Sequence, residues 1–161
     1  MRIHRTVLVA GACVLALGIF AWAQTRKAGL WEATSTMTWQ QAPFPAGMGP
    51  AGGPHTTQVC VTQDQIDKYG TVPPQTRGDC QVTNIVKKAT GMTADMVCSG
   101  HVNGQGTIEA SWTDDSHSTA KVHFTGAMQM GPNSKPVEWT VESTSVYKGA
   151  DCGSVKPIVE K

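Results

Sequence analysis

The stretch TIEASWTDDSHSTAKVHFTGAMQM, residues 107–130, decides the fold. Ile108, Ala110 and Trp112 alternate with Thr107, Glu109 and Ser111. After Asp114-Asp115-Ser116 the alternation resumes. Ala120, Val122, Phe124, Met128 and Met130 now oppose Thr119, Lys121, His123, Thr125 and Gln129. A period of two belongs to a strand, because successive side chains leave it on opposite sides. Asp and Ser in the break suit a turn, where short polar side chains bond the nearby backbone. The stretch reads as a β-hairpin with one dry face and one wet face.

The same alternation extends outward in both directions. Trp31, Ala33, Met37 and Trp39 oppose Glu32, Thr34, Thr36 and Thr38, and Met92, Ala94, Met96 and Cys98 oppose Thr93, Asp95 and Ser99. Val137, Trp139, Val141 and Tyr147 oppose Glu138, Thr140, Glu142 and Lys148. With weaker segments near 56–61 and 80–88, the strands number about seven. Only residues 62–69 look helical, with Thr62 and Gln65 forming a capping box and Gly70 ending the run. One short helix cannot cover so wide a dry face. The expected fold is therefore all-β: an antiparallel, mostly up-and-down sheet curled into a barrel or half-barrel, with a sandwich as the alternative. Residues 40–54, QQAPFPAGMGPAGGP, are expected to form a flexible Pro/Gly-rich loop, and Lys87-Lys88 reads as a turn.

At the N-terminus, Arg2 and Arg5 precede an apolar run over 7–20 and then Ala21-Trp22-Ala23. That is the plan of a secretory signal peptide over residues 1–23, cut before Gln24, with an uncleaved anchor over Thr6 to Ala23 as the alternative. Residues 24–161 then form a single β domain, and no second apolar segment predicts stable membrane insertion after cleavage. The whole chain carries 13 Lys+Arg against 12 Asp+Glu, and cleavage removes two of the arginines. A near-neutral chain without a basic stripe gives nucleic acid nothing to hold.

Four cysteines follow the leader: Cys60, Cys80, Cys98 and Cys152. The nearest two lie 18 positions apart, too far for a close zinc pair. An even count in an exported chain argues for two disulfides. In an up-and-down order, Cys80 opens one strand and Cys98 closes the next, at the same end of a hairpin. Cys152 follows the last strand, at the opposite end, and a ten-residue strand spans roughly 33 Å. Bridged Cα atoms lie within about 7 Å. Elimination gives Cys80–Cys98 and Cys60–Cys152, the latter closing the curled sheet near its seam. The spacing alone leaves the other two pairings open.

Gly29-Leu30-Trp31-Glu32, Val59-Cys60-Val61-Thr62, Gly78-Asp79-Cys80, Cys98 and Gly149-Ala150-Asp151-Cys152-Gly153, continued to Lys156-Pro157, together resemble one family. It is the domain-of-unknown-function 3617 family of small exported bacterial proteins. The resemblance covers nearly all of the chain after the leader. It implies a periplasmic or otherwise exported protein of the bacterial envelope, and it carries no activity.

No catalytic motif is present, and the chain is not expected to be an enzyme or to use a cofactor. Asp114-Asp115 reads as a turn. His117 and His123 lie on one strand face that also carries Thr119, Lys121 and Thr125, which favours surface histidines over a metal edge. Met128 and Met130 could serve a soft metal such as Cu(I), but their parity with Val122 and Phe124 favours core packing. The leading expectation is a binding protein that holds an apolar small molecule or lipid among Trp31, Trp39, Trp112, Phe124 and Trp139. The alternatives are a methionine-based copper-binding or oxidant-responsive envelope protein, and a purely structural one.

Overall fold

A computed structural model describes residues 26–45, 53–74 and 79–158. The expected leader, its cut before Gln24 and residues 46–52 of the Pro/Gly-rich segment lie outside the described residues. The elements are β1 (Gly29–Gln41), β2 (His55–Val61), α1 (Gln63–Tyr69), β3 (Cys80–Lys88), β4 (Gly91–Ser99), β5 (Val102–Trp112), β6 (His117–Met130) and β7 (Asn133–Gly149). The strands form one antiparallel sheet in the order β2-β1-β7-β6-β5-β4-β3. From β3 to β7 it is the expected meander. β2 and β3 are unjoined edges, so the curled sheet is an open half-barrel.

Both disulfides pair as expected, Cys60 with Cys152 and Cys80 with Cys98. Their geometry corrects one expectation: Cys60–Cys152 closes no seam. β1 lies between β7 and β2, and Leu30 is in register with both Cys60 and Gly149. The bridge is a clasp laid across β1. Gly29 makes room for it. At φ 135° a Cβ would stand 2.3 Å from the Gly149 carbonyl oxygen, so only glycine lets the end of β7 cross there. The tail then runs beside β2, with Pro157 bridging Cys60 and Ile158 O accepting from Gln65 Nε2 at 2.9 Å. That covers part of a free sheet edge.

α1 spans the gap between the two edges. Thr62 Oγ1 accepts from Gln65 N at 3.3 Å, and Gln65 Oε1 accepts from Thr62 N at 3.0 Å. Gly70, left-handed at φ 71°, ends the helix beneath the Trp112 ring. Lys87 donates from Nζ to Asp67 O near the helix C-terminus, where a cation is favoured. Lys87-Lys88 is thus not a turn but the end of β3; the turn is Ala89-Thr90. β3 also carries a bulge between Thr83 and Val86, with Asn84 at φ 51° donating to Asp95 Oδ2 at 2.7 Å. The extra residue reverses the strand's parity, so Ile85 packs on the core while Val86 is 55% exposed.

β1 runs two residues into the expected loop, to Gln41. Beyond it Pro43 is buried, and Phe44 meets Trp39 edge-on at 5.4 Å. Among the described residues no helix is long and apolar enough to cross a membrane.

Candidate functional site: a divided interior and a buried arginine

Directly opposed residues of an antiparallel pair share a face, so the ladder sorts the dry face into rows. Trp39, Trp139 and Phe124 stand side by side on β1, β7 and β6, with Phe124 stacked on Trp139 at 5.0 Å. The next row is Met37, Val141, Val122 and Ile108. Then the side chains shrink. Ser35, Ser143, Ala120 and Ala110 form one row, and Ala33, Ser145 and Ser118 lead to Trp112 in the next. Beyond them lies Trp31, edge-on to Tyr147 at 5.5 Å.

The buried core falls into two clusters, and Ala110 and Ala120 of this band of short side chains belong with the larger. One buried cluster gathers Tyr69, Met92, Ile108, Trp112, Phe124 and Val137; the other gathers Trp31, Val59, Val61 and Ile66. Ser35, Ser143 and Ala120, in the band between, are only half-buried. A domain of this size ordinarily holds one contiguous core.

Arg26 joins the two clusters. It is 4% exposed, and its guanidinium lies over Trp31 at 4.9 Å and over Trp112 at 5.4 Å, one ring from each cluster. Nη1 donates to Asp114 O at 2.6 Å and to His117 O at 2.9 Å. Nε and Nη2 are buried without a hydrogen-bond partner. Burial pushes the Arg26 pKa down, and the charges of Asp114 and Asp115 act against that.

The β5–β6 turn holds the arginine through its backbone, while its carboxylates are engaged elsewhere. Asp114 Oδ1 accepts from Ser116 N at 2.7 Å and His117 N at 2.8 Å, and its carboxylate also meets His117 Nδ1 at 2.9 Å. Asp115 pairs with Lys27 at 2.7 Å and accepts from Ser116 Oγ. The Ser116 N–H, above all, holds Asp114 below the usual carboxylate range. The Lys27 hydrogen bond does the same for Asp115 and is the main cause of the raised Lys27 pKa. Trp31 Nε1 donates to Lys27 O at 2.9 Å, fixing the entry of the chain beside Arg26.

Of the five aromatics expected to line one interior, Trp39, Trp112, Phe124 and Trp139 belong to the larger cluster and Trp31 to the smaller. Trp39, Trp139 and Phe124 stand together as a shelf, and Trp31 and Trp112, one from each cluster, hold Arg26. Sequence reasoning missed Arg26 and Phe44. Met128 is half-buried against the larger cluster, but Met130 is 40% exposed, contrary to its expected inward position. It keeps the inward parity yet pairs with Asn133 at the hairpin tip, past the last core row. His117 and His123 are on the opposite face from Met128. His123 contacts Thr140 Oγ1 at 3.3 Å and Glu138 Oε1 at 3.5 Å. Among the described residues no group of three or more His, Cys, Asp or Glu could hold a metal ion.

The wet face carries a trough of about 910 Å³. Thr34, Thr144, Thr119 and Ser111 cross it in register, next to a row containing Glu142, Lys121 and Glu109. Ser111 pairs with Thr119 at 2.9 Å, Lys121 with Glu142 at 3.3 Å, and Thr34 with Thr56 of β2 at 2.9 Å. A face so self-satisfied is a solvated surface.

The profile of a family described as a protein of unknown function, DUF3617, matches residues 26–152. The chain belongs to the DUF3617 family. Comparison with curated proteins found no match, and comparison with solved structures found none either. In this DUF3617 protein the matched region opens on the buried Arg26 and ends on Cys152, the cysteine of the clasp.

Proposed function

We propose that this DUF3617 protein is an exported, non-enzymatic binding protein that holds an apolar ligand along the dry face of its half-barrel. The observation that carries the reading is the divided core. Between the aromatic shelf and the Trp31–Trp112 pair lie a row of Met37, Val141, Val122 and Ile108 and then the short side chains of Ala33, Ser35, Ala120 and Ser143. From Ala33 to Trp39 along β1 the band and shelf extend for ~20 Å at ~3.3 Å per residue. A chain-like apolar molecule suits that shape, and the two disulfides suit an oxidising compartment. Nothing on this face favours the methionine–copper reading, since Met128 packs and Met130 lies outside.

Nile red titration of the purified, exported protein tests the proposal. A saturable rise in emission is expected, and Ala120→Phe, which fills the band, should abolish it while the thermal melt stays cooperative. Absence of saturable binding to the wild-type protein, with no lipid found by native mass spectrometry after purification from its own envelope, would refute it.

A further inference from the structure

The two unpartnered atoms of Arg26 are not an arbitrary pair. Nε–H and Nη2–H point the same way along one edge of the guanidinium, whereas Nη1 is already committed to two backbone carbonyls. That edge is the fork that a carboxylate meets with two parallel hydrogen bonds. Trp31 and Trp112 lie over the guanidinium, leaving its edge for hydrogen bonding. Among the described residues, the carboxylates of Asp114 and Asp115 do not reach the fork, being held by Ser116, His117 and Lys27. Buried donors are nearly always satisfied in folded proteins, so a charged pair with no acceptor among the described residues calls for one from a ligand.

We infer that Arg26 receives the carboxylate of the bound ligand, which is therefore an amphiphilic carboxylic acid with its head at Arg26 and its tail along the Ala/Ser band toward Trp39 and Trp139. This rests on the apolar-ligand reading above for the tail, and on the free fork for the head. The carboxylate supplies the acceptors that the buried Nε and Nη2 lack, while Trp31 and Trp112 keep water from competing. No bond is made or broken.

The test compares octanoate, octanol and acetate on the full exported protein, by calorimetry and by the ¹⁵Nε–H resonance of Arg26. Octanoate should bind on the order of tenfold tighter than octanol, the scale of a hydrogen bond to a charged group, and should shift the Arg26 resonance. Arg26→Lys keeps the charge but not the fork, and Arg26→Gln keeps neither. Both should lose the preference for octanoate while still binding octanol, which also shows that they remain folded. Equal binding of octanoate and octanol by the wild type, or a preference that survives in both variants, would overturn the head-group assignment and leave the apolar reading standing. Binding of neither would overturn the apolar reading. Acetate then separates the two, because an Arg26 resonance shifted by acetate supports the fork without the tail, and one that no carboxylate shifts removes the fork.

Discussion

The two disulfides should differ in worth, and the structure says by how much. Cys60–Cys152 closes a separation of 92 residues and Cys80–Cys98 one of 18. In the chain-entropy account, removing the first costs about 4.6 kcal/mol and the second about 3.2, a difference of about 1.4 kcal/mol. Packing does not obscure the comparison, because each bridge joins one buried cysteine to one half-buried partner: Cys60 with Cys152, Cys98 with Cys80. Deleting both sulfurs of either pair therefore removes similar contacts. The double variants Cys60→Ala/Cys152→Ala and Cys80→Ala/Cys98→Ala would be unfolded in urea beside the wild type, with stability read by linear extrapolation. The clasp variant should be the weaker by roughly 1–2 kcal/mol and should also show the larger increase in m, because its unfolded chain is freed over more residues. Equal stabilities, or a weaker hairpin variant, would refute the argument that the clasp acts by restraining the unfolded chain across β1.

Gly29→Ala should destabilise by at least about 1–3 kcal/mol in the same urea assay, since it sets a Cβ against Gly149 in a conformation that non-glycine residues rarely adopt. Asp114 and Asp115 have folded pKa values below their ordinary ones, so their contribution is complete above the ordinary carboxylate value and is lost as pH falls through the folded values. Urea midpoints taken from about pH 5 down to about pH 2 should fall, and less steeply in Asp114→Asn/Asp115→Asn. N-terminal sequencing of the exported protein should begin at Gln24, and a retained Met1 in the membrane fraction would contradict the cut.

The strands were legible because burial is one-sided. A period of two in β4 to β7 marks the dry face directly, and Cys80 and Cys98 fall on it at matching ends of a hairpin. The position of β1 was not legible. Its neighbour β7 lies more than a hundred residues away, and alternation says which face a residue takes but not which strand it meets. That is why the clasp looked like a seam. The β3 bulge was hidden for a related reason, because one extra residue at Asn84 breaks the parity and leaves only a weaker pattern. Arg26 resembles any basic residue near an expected cut site. Its burial depends on Trp31, Trp112 and the Asp114–His117 turn meeting in space, and no local pattern announces that meeting.

Arg26 is a costly way to fill the space between two tryptophans. Its charge is withdrawn from water, and among the described residues no carboxylate pairs with its guanidinium. Two hydrogen bonds to carbonyls contribute about 1.5–3 kcal/mol each, while each unmade bond costs about 1–3 kcal/mol or more. These terms nearly cancel before the desolvation of the charge is counted. The ring contacts add about 0.5–2 kcal/mol apiece. Apolar side chains of similar volume often replace buried charges with no loss of stability, and methionine would fill the same gap between the rings. Stability alone gives little reason for a guanidinium here. A bound carboxylate changes the balance, because the two unmade bonds become charge-assisted ones, and the protein is then stabilised in proportion to the logarithm of ligand concentration over Kd. The ligand-free domain is on this argument the less stable form, and its melting temperature should rise more with octanoate than with octanol at equal ligand concentration.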